Sequence, residues 1–101
     1  MANGRTIKAT ILKPKAFLTT RIMQNEEGIN MSIAVRDGYY KSELEAKGAI
    51  MEDFENENRE SQYDIYLCPE IVTHASIEYQ VNYIDRHRTL YAYSYFITKV
   101  Y

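Results

Sequence analysis

The sequence predicts an α+β domain: a mainly antiparallel sheet of five to six strands with one α-helix, over about 43–57, packed on one face, in the order β-β-β-α-β-β-β. Three observations predict it. Ser42 and Glu45 stand at capping-box spacing ahead of a helical stripe. In the run 75–84, apolar and polar side chains alternate from Ala75 to Tyr83. Residues 89–100 follow after only four residues, so they return as a hairpin partner.

Each element follows from its local pattern. Residues 5–12 place Ile7, Ala9 and Ile11 on one face of a first strand, which Pro14 interrupts. Residues 16–23 form a second strand, where Thr19 and Thr20 suit a pleated surface. Residues 24–28 are polar, end in glycine and make a turn. Ile29, Met31, Ile33 and Val35 then alternate with Asn30, Ser32 and Ala34 in a third strand, closed by a tight turn at Asp37-Gly38.

In the helix, the Ser42 hydroxyl can accept from the third helical N–H while Glu45 reaches back to the cap. Leu44, Lys47, Gly48, Ile50, Met51 and Phe54 trace one stripe. Gly48 costs that helix about 1 kcal/mol relative to alanine, so its place on the stripe predicts close approach to the sheet. Residues 56–62 hold no apolar side chain and form the exit loop, and residues 63–67 make a short strand ended by Pro69.

The last two strands carry most of the tyrosines. Eight of the ten lie between Tyr63 and Tyr101. A connector of two or four residues pairs Ile84 with Thr89, and then Val81 with Ala92 and Tyr79 with Ser94. Ile77, Tyr79, Val81, Tyr83, Leu90, Ala92 and Phe96 would form the core face. Tyr91, Tyr93 and Tyr95 would share the other face with Glu78, Gln80 and Asn82. A connector of three or five residues reverses this and gathers all five tyrosines on one face, because a one-residue slip flips every side chain. The four-residue form is preferred, since a two-residue turn would need positive φ at Arg86 and His87.

Composition bounds the function. At 101 residues the chain is a single domain, 1–101, with 46% apolar and 26% charged residues, an ordinary globular balance. The net charge of −2 gives no global drive toward nucleic acid or anionic membrane. No stretch approaches the roughly 20 apolar residues of a membrane helix. The lone Cys68 cannot close an internal disulfide and fits a reducing compartment, so the expected location is cytoplasmic.

Charge is unevenly spread. Residues 1–40 hold six cations against three acids, a balance of +3, whereas residues 41–70 hold three cations against nine acids, a balance of −6. Glu43 and Glu45 support the helix N-terminus, but Glu52, Asp53, Glu55, Glu57 and Glu60 fall past the first turn, where the helix dipole no longer rewards them. They define a solvated acidic face suited to a basic partner.

No catalytic, metal or cofactor motif is present: no CxxC, no HExxH, no EF-hand loop and no phosphate loop. His74 and His87 flank residues 75–84 at opposite ends, too far apart to act on one bond. The expectation is a small non-enzymatic protein without a cofactor. It docks on another protein through its acidic helix face (Glu52, Asp53, Glu55, Glu57), its tyrosine-bearing sheet face (Tyr91, Tyr93, Tyr95, Arg86, Arg88), or both. Such a protein would suit an accessory or inhibitory role for a virus or mobile element, in the host cytoplasm. A single-strand nucleic-acid binder stacking bases on the same tyrosines is the alternative, ranked second because only Arg86, Arg88 and Lys99 lie nearby to neutralise phosphates. Homodimerisation through the tyrosine face is the third possibility.

Overall fold

The computed structural model describes residues 12–25, 27–61, 64–84 and 89–101, leaving out the side chains of residues 84 and 89–92. The order is β1 (Ala16–Gln24), β2 (Asn30–Tyr40), α1 (Glu43–Glu57), β3 (Asp64–Leu67), β4 (Ile71–Val72), β5 (Ser76–Ile84) and β6 (Thr89–Val100). The fold is α+β, with all strand pairs antiparallel. The sheet runs β2-β1-β6-β5-β3, and β4 pairs with β5 beside β3. Of the strand expected over residues 5–12, residues 5–11 lie outside the described residues, and Leu12 is in no strand. Strand β4 was not foreseen: two residues are too short for alternation to show.

Helix α1 forms where the capping box predicts. Ser42 is extended at φ −126° and ψ 147°, and its Oγ accepts from the Glu45 N–H at 3.1 Å. At the other end the Asn58 N–H and Nδ2 both donate to the Phe54 carbonyl, at 3.2 and 2.8 Å. These bonds satisfy groups that every helix end leaves open.

The buried stripe differs from the expected one. Ala46, Ala49 and Ile50 are buried, Phe54 is half-buried, and Leu44, Gly48 and Met51 are exposed. A Cβ added at Gly48 would meet nothing within 4 Å, so this glycine marks no close approach. The small side chains that let the helix lie near the sheet are the alanines at 46 and 49. The core joins Ala46 and Ile50 to Phe17, Val35, Ile77, Val81, Tyr95 and Ile97. Burial of such side chains supplies roughly 1.5–3 kcal/mol each for the larger ones.

Asp37-Gly38 does not end a strand. Strand β2 continues to Tyr40, and its register against β1 jumps from Ala34 opposite Thr20 to Tyr39 opposite Leu18. Four residues of β2, 35–38, therefore face one residue of β1. Arg36 at φ 54° and Gly38 at φ 72° absorb the extra length, and the buried Thr19 hydroxyl donates to the Val35 carbonyl at 3.0 Å. A Cβ at Gly38 would lie 3.1 Å from the Ala34 Cβ. Gly38→Ala is accordingly expected to cost about 1–2 kcal/mol in urea unfolding, the penalty of a left-handed backbone with a side chain.

A second bulge decides where the tyrosines point. Ile84 pairs with Thr89, as the four-residue connector requires, but the register shifts between Val81 and Asn82. Asn82 pairs with Tyr91 and Val81 with Tyr93, leaving Ala92 as an extra residue in β6. Beyond it Tyr79 pairs with Tyr95 and Ile77 with Ile97. The predicted faces are thereby corrected. Tyr93 and Tyr95 join Ile77, Tyr79 and Val81 beneath the helix, and Phe96 moves to the opposite face beside Glu78. One inserted residue suffices, because strand side chains alternate with a period of two.

Candidate functional site

Helix α1 separates two polar systems, one turned into the sheet and one turned outward. The inner system grows from residues 46, 50, 53 and 57, which share one face of a helix. Ala46 and Ile50 fill the core, and one to two turns later Asp53 meets Arg21 on β1. Arg21 Nη1 lies 2.8 Å from Asp53 Oδ2, and the same oxygen accepts from the Tyr95 hydroxyl at 2.6 Å. The two charged side chains are 14% and 19% exposed, and Tyr95 is fully buried. Glu57 adds a second carboxylate at 3.3 Å from Arg21. The Arg21 guanidinium also sits 5.9 Å from the Tyr93 ring centre, Tyr93 packs edge-on to Tyr95 at 5.4 Å, and the Tyr93 hydroxyl accepts from Asn58 Nδ2 at 3.0 Å.

A smaller network ties the β3–β4 connector to the helix. The Tyr79 hydroxyl donates to Glu70 Oε2 at 2.6 Å, and Lys47 Nζ reaches Glu70 at 3.0 Å and Glu43 at 3.3 Å. Burial, then the bonds to Glu70 and Asp53 respectively, push the phenols of Tyr79 and Tyr95 well above the ordinary tyrosine range. A raised folded pKa means the unfolded chain ionises first. The stability these phenols confer is therefore complete below about pH 10 and is lost as pH rises above it. Absorbance titration should show two tyrosines that ionise last, together with alkaline unfolding.

The outer system is the candidate docking surface. Leu44 is 82% exposed and Met51 46% exposed, and with Gly48 and Glu55 they follow one outward line along α1. Glu45 and Glu52 flank that line and Glu55 ends it, all three exposed. Glu52 pairs with Arg36 Nε at 3.2 Å in the β2 bulge, whereas Glu45 and Glu55 have no ion pair among the described residues. Between helix and bulge runs an open groove of about 380 Å³, walled by Arg36, Asp37, Tyr40, Glu45 and Glu52 and floored by Gly48 and Ala49.

The four acids expected to act together divide. Glu52 and Glu55 lie on the outward surface, Glu57 sits at its margin with one oxygen toward Arg21, and Asp53 belongs to the inner network. Of the sheet-face residues, Tyr93 and Tyr95 lie under the helix. Arg86 and Arg88, and the side chain of Tyr91, lie outside what the structure describes. The structure adds Leu44 and Met51, which the expected stripe had assigned to the core, and Glu45, read from sequence as a cap and as support for the helix N-terminus. Their exposure becomes legible once Ala46 and Ala49 are counted as core residues. His74 stacks on Tyr101 at 4.8 Å, and Cys68 Sγ accepts from Asn82 Nδ2 at 2.8 Å, so both have local packing partners.

The fold and this surface define a class: a small single-sheet α+β protein with one acidic helix. No family model matches the chain, and neither a curated protein nor a solved structure is similar to it. Among the described residues no helix is long and apolar enough to cross a membrane.

Proposed function

We propose that this protein is a non-enzymatic interaction protein that docks on a basic protein surface through the outward face of α1. The observation that carries the reading is the exposure of Leu44 and Met51 on a helix face rimmed by Glu45, Glu52 and Glu55. Large apolar side chains at the centre of a charged rim are the arrangement of an interface anchor, and the carboxylates speed association with a cationic partner and reject acidic ones. Asp53 takes no part: it is held by Arg21 and Tyr95.

A protein of this size seated on a basic groove excludes nucleic acid from it. The reading therefore extends to an accessory or inhibitory protein of the kind a virus or mobile element carries. It acts in the cytoplasm, where a lone thiol such as Cys68 stays reduced. The stacking platform built on Tyr91, Tyr93 and Tyr95 is not carried forward, because the helix-covered face takes two of its three rings.

The test compares three immobilised proteins in affinity capture from cell extract, followed by titration of whatever is retained. They are the unaltered chain, Leu44→Asp with Met51→Asp, and Glu45→Lys with Glu52→Lys and Glu55→Lys. The reading expects a retained protein with a basic surface, released by salt and at least tenfold weaker with either variant at unchanged circular dichroism. Equal retention by all three ends it.

A further inference from the structure

We propose that β2 is a homodimer edge, on which a second copy of this chain pairs its own β2 antiparallel, with Met31 on the two-fold axis. Strand β2 is the outer strand of the sheet, and among the described residues none pairs with its far side. The opposite edge is guarded: β3 and β4 have four and two residues, and Pro69 falls between them. On β2 the usual guards are missing over residues 29–34, which carry no charge and no proline and precede the bulge. Such an edge presents a row of free N–H and C=O groups that invites another strand.

The direction of those groups follows from the hairpin. The Asn25 N–H donates to the Ile29 carbonyl at 2.9 Å, so Ile29 turns its polar backbone toward β1. Antiparallel ladders alternate, which gives Met31 and Ile33 the same direction and leaves the backbone groups of Asn30, Ser32 and Ala34 facing outward. A partner strand centred on Met31 satisfies two of these residues, Asn30 and Ser32.

The side chains select the partner. Ile29, Met31 and Ile33 share the helix-side face and are 38–56% exposed, an apolar run left open among the described residues. About a two-fold at Met31, the run is complementary to itself: Met31 meets Met31 of the other copy, and each Ile29 meets the other copy's Ile33. Asn30 and Ser32 then exchange backbone bonds across the axis. All three apolar contacts fall at the close, non-hydrogen-bonded positions, where side chains interact most strongly. The pairing stops short of residues 35–38, so the groove beside α1 stays open in both copies. The edge and the docking surface are therefore independent.

Light scattering on a size-exclusion column at about 100 μM should give twice the monomer mass, and Met31→Lys should return it to the monomer by setting two ammonium groups face to face. Met31 is half-exposed, so an unchanged circular dichroism spectrum will show that this variant folds. The register is tested by Met31→Cys in a Cys68→Ser background. Residues at a close antiparallel pair have Cα atoms about 4.5 Å apart, within the roughly 4.4–6.8 Å that a disulfide spans. Mild oxidation should convert most of this variant to a cross-linked dimer, and Ser32→Cys in the same background should cross-link far less. A monomer with no cross-link at position 31 overturns the proposal and leaves the edge to another strand, residues 5–12 of this chain among the candidates. Preferential cross-linking at position 32 overturns the register.

Discussion

Replacing Asp53 with alanine is expected to lower the free energy of unfolding by about 3 kcal/mol, the lower end of what breaking a buried ion pair costs. The change leaves the Arg21 guanidinium in a site only 14% open to solvent, with Glu57 alone nearby, and strips the Tyr95 hydroxyl of its acceptor. Arg21 Nε already lacks a hydrogen-bond partner among the described residues, although it is buried. Tyr95→Phe is milder, at about 1 kcal/mol, because it removes the donor and leaves the ion pair intact. The two changes touch one oxygen and should not add: a double-mutant cycle is expected to return a coupling above about 0.5 kcal/mol. Urea unfolding followed by circular dichroism measures all three. A loss below 1 kcal/mol for Asp53→Ala would mean that water reaches Arg21 freely and that the network does not hold α1 to the sheet.

That network also shows which kinds of information a sequence carries openly. The helix was legible to the residue, because a capping box is a local device and Ser42 and Glu45 are three positions apart. The long strands were legible from alternation. The faces were not, because each depends on an odd number of inserted residues, one in β6 and three in β2. Ala92 in β6 and residues 35–38 in β2 carry nothing that marks a bulge beforehand, apart from Gly38. A register that is right at Ile84–Thr89 is therefore wrong by Val81–Tyr93, and Tyr95 passes from a proposed surface to the centre of the core.

The inner network did leave a trace. Arg21 shares a face with Thr19 and Met23 on a strand whose odd positions face the helix, and a cation there needs an acid opposite. Asp53 and Glu57 supply acids on the same helical line as Ala46 and Ile50. Reading the large residues Leu44 and Met51 as core, and the alanines as filler, hid that line. At a close helix–sheet contact size works the other way, since small side chains set the distance of approach and large ones are turned out.

The two faces of α1 are expected to respond oppositely to truncation, and this separates core from docking surface in one experiment. Ile50 is almost wholly buried, among Phe17, Val35, Ile77 and Ile97 in the core cluster. Ile50→Ala deletes three carbons there and should cost about 3 kcal/mol, with the cavity adding to the lost transfer energy. Leu44, at 82% exposure, has almost no burial to lose. Leu44→Ala should stay within about 0.5 kcal/mol of the parent, and alanine's higher helix propensity favours the stabilising side of that range. An exposed leucine that contributes nothing to folding is free to serve a partner, so the same substitution should weaken docking while Ile50→Ala at a temperature where the chain stays folded should not. Parallel urea curves and titrations against the captured protein read both effects. If Leu44→Ala instead destabilises by more than 1 kcal/mol, the fold itself holds that side chain, and the outward line on α1 loses its apolar anchor.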